Sequence, residues 1–272
     1  MIRALAAAAL LVLTGQAADP HLPAPTYDHV APALPADFRD GVLVFTKTNG
    51  WRHIEHLPHS TPVVMQIARS LGRPVFHTEN AAVFTPALLS RVRVVVLNSS
   101  SGDLFTPEQR AAFEAWLRRG GGIVALHAAG GDPEYKWRFY VDQVIGAQFV
   151  GHPGGDDHIQ RATVRVAAPR HPVTAGLPRE WRPRDEWYSF AAAPPPDSTI
   201  LATLDEDTYR PSRGEEMGAL HPIVWTRQVG RGRIVYSALG HVPEAYDDPA
   251  NRRLIRNAIR WVGAPESAKA AS

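Results

Sequence analysis

Four of the 12 histidines in this 272-residue chain stand where a loop follows an apolar run. His53 closes Asn49-Gly50-Trp51-Arg52-His53 and His127 ends Gly122-Ile123-Val124-Ala125-Leu126-His127. His152 lies in Phe149-Val150-Gly151-His152-Pro153, and His241 in Leu239-Gly240-His241. Imidazole titrates near neutral pH and its neutral nitrogens bind transition metals. Such a set therefore suits acid–base catalysis or a metal centre. Asp185-Glu186-Trp187-Tyr188 adds carboxylates and aromatics in an irregular stretch. The chain has no cysteine, which excludes a thiol nucleophile, and no HExxH pattern, so any metal site must be assembled from distant loops.

Each residue also has a plainer role open to it. A loop histidine such as His53, His152 or His241 can be solvated, and His127 can be a satisfied core histidine. Glu186 and Arg52 can be ordinary surface charges. Trp51, Trp137 and Tyr188 can be core aromatics.

The elements that would carry these residues alternate. Short apolar runs at 42–45, 74–77 and 92–97 read as strands buried on both faces. Residues 59–72 have a helical pattern, and Thr85-Pro86 caps a helical turn. Thr106-Pro107-Glu108-Gln109 is a strong helix start, leading to a stop at Gly120-Gly121-Gly122. The strand ending at His127 follows. This rhythm requires a parallel sheet covered by helices, with ligands at the C-terminal ends of its strands. Later strands at 162–166 and 199–204, and a hairpin through Val229-Gly230-Arg231-Gly232, add antiparallel pairs. A helix over 249–262 closes the domain.

Residues 1–17 read as a cleaved export signal: Arg3, then an apolar run over 4–13, then small residues at Gly15-Gln16-Ala17. The run is too short to span a bilayer. Periplasmic or secreted localisation follows, with no stable membrane insertion after cleavage. Residues 18–40, rich in proline, read as an extended, partly disordered linker. Residues 41–263 read as one domain and 264–272 as a disordered polar tail. Loss of Arg3 leaves 28 Lys+Arg (29 less one) against 27 Asp+Glu. That balance gives no field to attract nucleic acid or a membrane, and the scattered arginines read as solvated surface.

Taken in order, several motifs resemble the ThuA-like (trehalose utilisation) family. They are Gly122 to Ala129, Trp137 through Gly146-Ala147-Gln148-Phe149 to His152-Pro153, and His171 to Pro178. Asp185 to Tyr188, Pro222 to Trp225, Gly230 to Tyr236 and Leu239 to His241 complete the series. The resemblance runs from about 41 to 263. It implies a class I glutamine amidotransferase-like fold, that is, a flavodoxin-like three-layer αβα sandwich. Its sheet is expected to be mostly parallel, with antiparallel additions near the C-terminus. In true amidotransferases the strand-to-helix elbow carries a cysteine. Here His127 stands at the matching position, so glutamine hydrolysis is not expected. The family is associated with disaccharide uptake and breakdown, alongside dehydrogenases that make 3-keto glycosides.

The resulting expectation is an exported enzyme acting on a small carbohydrate, by lyase, hydrolase or isomerase chemistry. A C3 ketone acidifies the C2 proton, and elimination then expels the C1 oxygen. This needs a base, an acid and stabilisation of an enediolate. His53, His127 and His241 are the expected metal ligands or acid–base groups, with Glu186 as ligand or base. Tyr188 is expected as hydrogen-bond donor, and Arg52, Trp51 and His152 as substrate-binding residues. A divalent metal, zinc foremost, is the expected cofactor, with no nucleotide cofactor. The competing expectation is a non-catalytic sugar-binding module in which Trp51, Trp137, Trp187 and Tyr188 stack on sugar rings. A hydrolase using metal-activated water is a third.

Overall fold

The computed structural model describes residues 19–133 and 135–265. The expected signal segment over 1–17 and the expected tail from 266 onward lie outside them. The strands are β1 (Gly41–Phe45), β2 (Val75–Thr78), β3 (Val92–Asn98), β4 (Gly122–Leu126), β5 (Phe149–Gly151), β6 (Gln160–Arg161) and β7 (Thr163–Val166). They continue with β8 (Glu180–Trp181), β9 (Arg184–Asp185), β10 (Ser189–Phe190), β11 (Thr199–Asp205), β12 (His221–Val229) and β13 (Gly232–Ser237). The α-helices are α1 (Leu57–Arg69), α2 (Pro86–Leu89), α3 (Pro107–Arg118) and α4 (Pro249–Val262).

Nine strands form one sheet in the order β2-β1-β3-β4-β13-β12-β11-β7-β8. Pairing is parallel from β2 through β13 and antiparallel from β13 to β8. The last long strand therefore inserts beside β4. This brings the loop carrying His241 next to the turn carrying His127. Every residue of β1 and β4 is buried, as their unbroken apolar sequences require of strands covered on both faces. Helices α1 and α4 pack together over β1, β3, β4 and β13, while α2 and α3 pair with each other. The result is a three-layer αβα sandwich.

Local sequence explains the helix boundaries. Thr106 and Gln109 form a reciprocal capping box at the start of α3. Asp248 caps α4 by accepting from the backbone N–H groups of Ala250 and Asn251. α1 starts without a side-chain cap and carries Pro62 internally, so its stability rests on its buried face of Leu57, Val64, Ile67 and Ala68.

The proline-rich segment from 19 to 40 has no regular strand or helix but is anchored to the domain. Phe38 is buried, Asp28 accepts from the N–H of Ala81 and pairs with Lys47 at 2.8 Å, and Tyr27 donates to Asp103. Among the described residues, no helix is long and apolar enough to cross a membrane.

Candidate metal centre at the sheet edge

β4 ends at Leu126, and His127 takes a left-handed conformation with φ 50° before a 3-10 turn over His127–Gly130. That conformation is uncommon for a residue with a Cβ and costs on the order of 1–3 kcal/mol. It is the geometry of an elbow, aiming one side chain out of the sheet edge. The His127 carbonyl accepts from Tyr236, and Nδ1 lies 2.9 Å from the carbonyl oxygen of Ala238. A carbonyl can only accept, so Nδ1 carries the proton and Nε2 presents a lone pair to the site.

Three more donors converge on that nitrogen. His53 Nε2 and His241 Nδ1 each lie 3.2 Å from it, and Glu186 Oε2 lies 3.4 Å away. His241 Nδ1 is 3.2 Å from the same Glu186 oxygen. Tyr188 donates its hydroxyl to His127 Nε2 at 2.9 Å, with its ring stacked on the imidazole at 4.4 Å. Three imidazole nitrogens and a carboxylate oxygen packed this closely are held together by shared protons or by a cation among them. His53, His127, Glu186 and His241 together could hold a metal ion.

The backbone fixes each donor. Asp185, fully buried, accepts from the N–H groups of Gly240, His241 and Glu186, tying the loop after β13 to the end of β9. Burial pushes its carboxyl up to about 6 even so. The β6–β9 pair, with Gln160 opposite Asp185, carries His158 to Glu186. The β5–β10 pair, with Gly151 opposite Ser189, carries His152 to the same side chain. Glu186 therefore divides its oxygens. Oε2 faces the buried histidines, while Oε1 is hydrogen-bonded by His158 and lies 3.3 Å from His152 Nδ1. A chain Cβ on Gly131 would fall 2.3 Å from the Tyr188 ring, so only glycine lets that ring lie flat against the turn.

Burial, more than the neighbouring charges, holds the imidazoles neutral. His53 falls to about 3, chiefly by desolvation and then through His241, and His127 is also pushed well down by burial. Burial alone would raise Glu186. Hydrogen bonds from His158 and His241 and the proximity of His127 instead hold its carboxyl far below the usual range. His158 is raised by its hydrogen bond to Glu186.

A cleft of about 530 Å³ opens onto this floor, lined by His53, Tyr188, Glu186, His241, His152, His158 and, at the rim, Trp51. Trp51 is 46% exposed and stacks on His21 at 4.5 Å. Arg52 takes a different place from the one expected. Its guanidinium is bound by both oxygens of Glu79, at 2.8 and 3.1 Å, and it does not line the cleft. Trp187 is buried in the core, and Trp137 packs with Phe105 and Phe113 away from the cleft.

Three histidines that sequence reasoning did not single out belong here. His158 engages Glu186. His21 reaches the rim from the proline-rich segment and pairs with Glu55 at 3.2 Å. His56 backs His53 at 5.1 Å between rings, in a buried network with Ser60, Ser99, Asn98 and Tyr246.

Fold and site together define an αβα protein of the glutamine amidotransferase-like class, with an imidazole–carboxylate centre where a cysteine elbow would stand. The family model for ThuA, described as trehalose utilisation, matches residues 41–262, and the chain belongs to that family. A ThuA-like protein from Bacteroides uniformis superposes with a TM-score of 0.70 at 25% identity, covering 86% of this chain and 95% of that one. A ThuA-like protein from Parabacteroides merdae gives 0.64 at 22% identity, covering 82% and 90%. A β-galactosidase from Rahnella sp. R3 shares the fold over 31% of its own length, covering 83% of this chain (TM-score 0.54, 13% identity). Among curated proteins nothing matches.

Proposed function

We propose that this protein is an exported carbohydrate-processing enzyme that cleaves 3-keto glycosides by acid–base elimination at a divalent-metal centre, zinc foremost. The observation that carries this reading is the buried quartet of His53, His127, His241 and Glu186. Four of its six donor pairs lie 3.2–3.4 Å apart and all lie within 4.8 Å, close enough for one small ion. Donors roughly 2.0–2.1 Å from a central ion stand about 3.3–3.4 Å from one another. Those four residues would hold the ion, and bound there it would supply Lewis-acid stabilisation of a developing oxyanion.

With the quartet so engaged, the groups left for proton transfer are the partly exposed, cleft-lining imidazoles His152 and His158. His152 Nδ1 faces the Pro153 carbonyl at 2.9 Å, which leaves Nε2 as the lone pair and suits His152 to be the base. It takes the C2 proton, and the C2–H electron pair becomes a C1–C2 double bond. The C1–O bond breaks, and the leaving oxygen takes a proton from His158, which Glu186 keeps protonated. Tyr188 orients the substrate from the floor and Trp51 stacks on it at the rim. The export-signal pattern of residues 1–17, with its apolar run over 4–13, supports periplasmic or secreted localisation.

The test is product analysis on a nitrophenyl 3-keto-glucoside, with and without a chelator. Chelator-sensitive release of nitrophenol with an unsaturated keto-sugar supports elimination. A hydrated 3-keto-glucose product would make the enzyme a hydrolase using metal-activated water. No turnover would overturn the catalytic reading in favour of sugar binding. That alternative is already weakened, because Trp137 and Trp187 are not available as platforms.

A further inference from the structure

The fold aligns arginines that are scattered in sequence. Arg252, Arg256 and Arg260 fall at i, i+4 and i+8 of α4 and so form a single row, with Arg253 beside it. They line a groove of about 660 Å³ shared with Gln66 of α1 and Ser70 just after it, and no carboxylate lines it. A second hollow of about 420 Å³ continues past Arg256 and Arg260 and again has no acidic lining.

Like charges one helical turn apart destabilise a helix. One explanation would be that these arginines cap the C-terminal carbonyls of α4. That role is already filled. Arg73 and Arg93 donate to the Gly263 carbonyl at 3.1 and 3.0 Å, Arg93 also to Ala264 at 2.6 Å, and Arg233 to Trp261 at 3.0 Å. Arg252 and Arg253 are steadied by the carbonyls of Tyr246 and Gly176. Arg256 and Arg260 have no hydrogen bond or ion pair among the described residues. Two unspent guanidinium forks beside two anchored ones are matched to phosphoryl oxygens, which they bind in pairs.

We propose that the α1–α4 groove binds a soluble, multiply charged phosphoanion. The groove runs along α4 from Arg252 in its first turn to Arg260 in its last, beside the C-terminal end of α1. It shares no lining residue with the histidine cleft, and the proposal is independent of the reading of that cleft.

The experiment is calorimetric titration of the mature protein with tripolyphosphate at about 50 and 300 mM salt, beside the Arg256→Ala/Arg260→Ala and Arg256→Lys/Arg260→Lys variants. We expect binding that weakens with salt, falls at least about tenfold in the alanine pair, and is partly kept by the lysine pair. The alanine pair should melt at the same temperature or higher, because two like-charge contacts are relieved. No binding at low salt, or equal binding by the alanine pair, would overturn the proposal. A lower melting temperature would assign the arginines to the fold and do the same. Binding confined to phosphatidylglycerol vesicles would replace the soluble ligand with a membrane surface and also overturn it.

Discussion

Acid should destabilise the metal-free protein from about pH 6.5 downwards, well above the pH at which ordinary carboxylates protonate. His53 and His56 are buried, and burial lowers them from 6.5 to about 3 and about 2. A histidine with a depressed folded-state pKa binds fewer protons folded than unfolded, so its contribution is lost as pH falls below 6.5. At about 1.4 kcal/mol per unit, each loses about 3 kcal/mol between pH 6.5 and 4, and together they lose about 6. His127 shifts in the same direction and adds to the loss. Asp185 opposes them: raised to about 6, it returns about 2 kcal/mol as pH falls to 4. The net loss is about 4 kcal/mol or more, a large part of the roughly 5–15 kcal/mol stability of a typical domain. Urea unfolding followed by tryptophan fluorescence at pH 7 and pH 4 measures it directly. A His53→Asn variant should lose about 3 kcal/mol less over the same interval, because the group that must stay neutral is gone. An unfolding free energy unchanged from pH 7 to 4, or a variant as acid-sensitive as the parent, would refute the reasoning.

Glu186→Gln keeps the shape of the side chain but removes the one anionic donor, so metal affinity should fall by about two orders of magnitude or more in competition with a chromogenic chelator. Gly131→Ala places a methyl group 2.3 Å from the Tyr188 ring. It should cost about 1–3 kcal/mol in a denaturant melt and reduce turnover while the metal content stays the same. Trp51→Ala, at an exposed rim position, should leave the melting temperature within error and raise KM for a keto-glycoside about tenfold with less effect on kcat.

The positions of His53, His127 and His241 are readable because each follows a recognisable strand, and a doubly wound sheet gathers its strand ends at one edge. β13 is parallel to β4 despite following an antiparallel hairpin, and that insertion brings His241 beside His127. His158 was not readable because its approach to Glu186 depends on a two-residue ladder, too short for any periodicity to register. His21 was hidden in a segment whose prolines suggest a linker. Its anchors are long-range pairs such as Asp28 with Ala81 and Tyr27 with Asp103, which composition does not reveal. Arg52 looked like a substrate ligand because it adjoins His53. Its partner Glu79 lies just past β2, a neighbour created by the parallel pairing of β1 with β2. The arginine row along α4 is a periodic pattern that becomes a groove only when α1 packs beside it.

The most direct test of the metal-centred account is elemental analysis of the purified protein, beside a His127→Asn variant, in which asparagine tolerates the left-handed backbone. About one zinc or other divalent ion per chain, lost in the variant with its fold intact, is the predicted result. No ion in either protein after incubation with zinc, cobalt and manganese would contradict it.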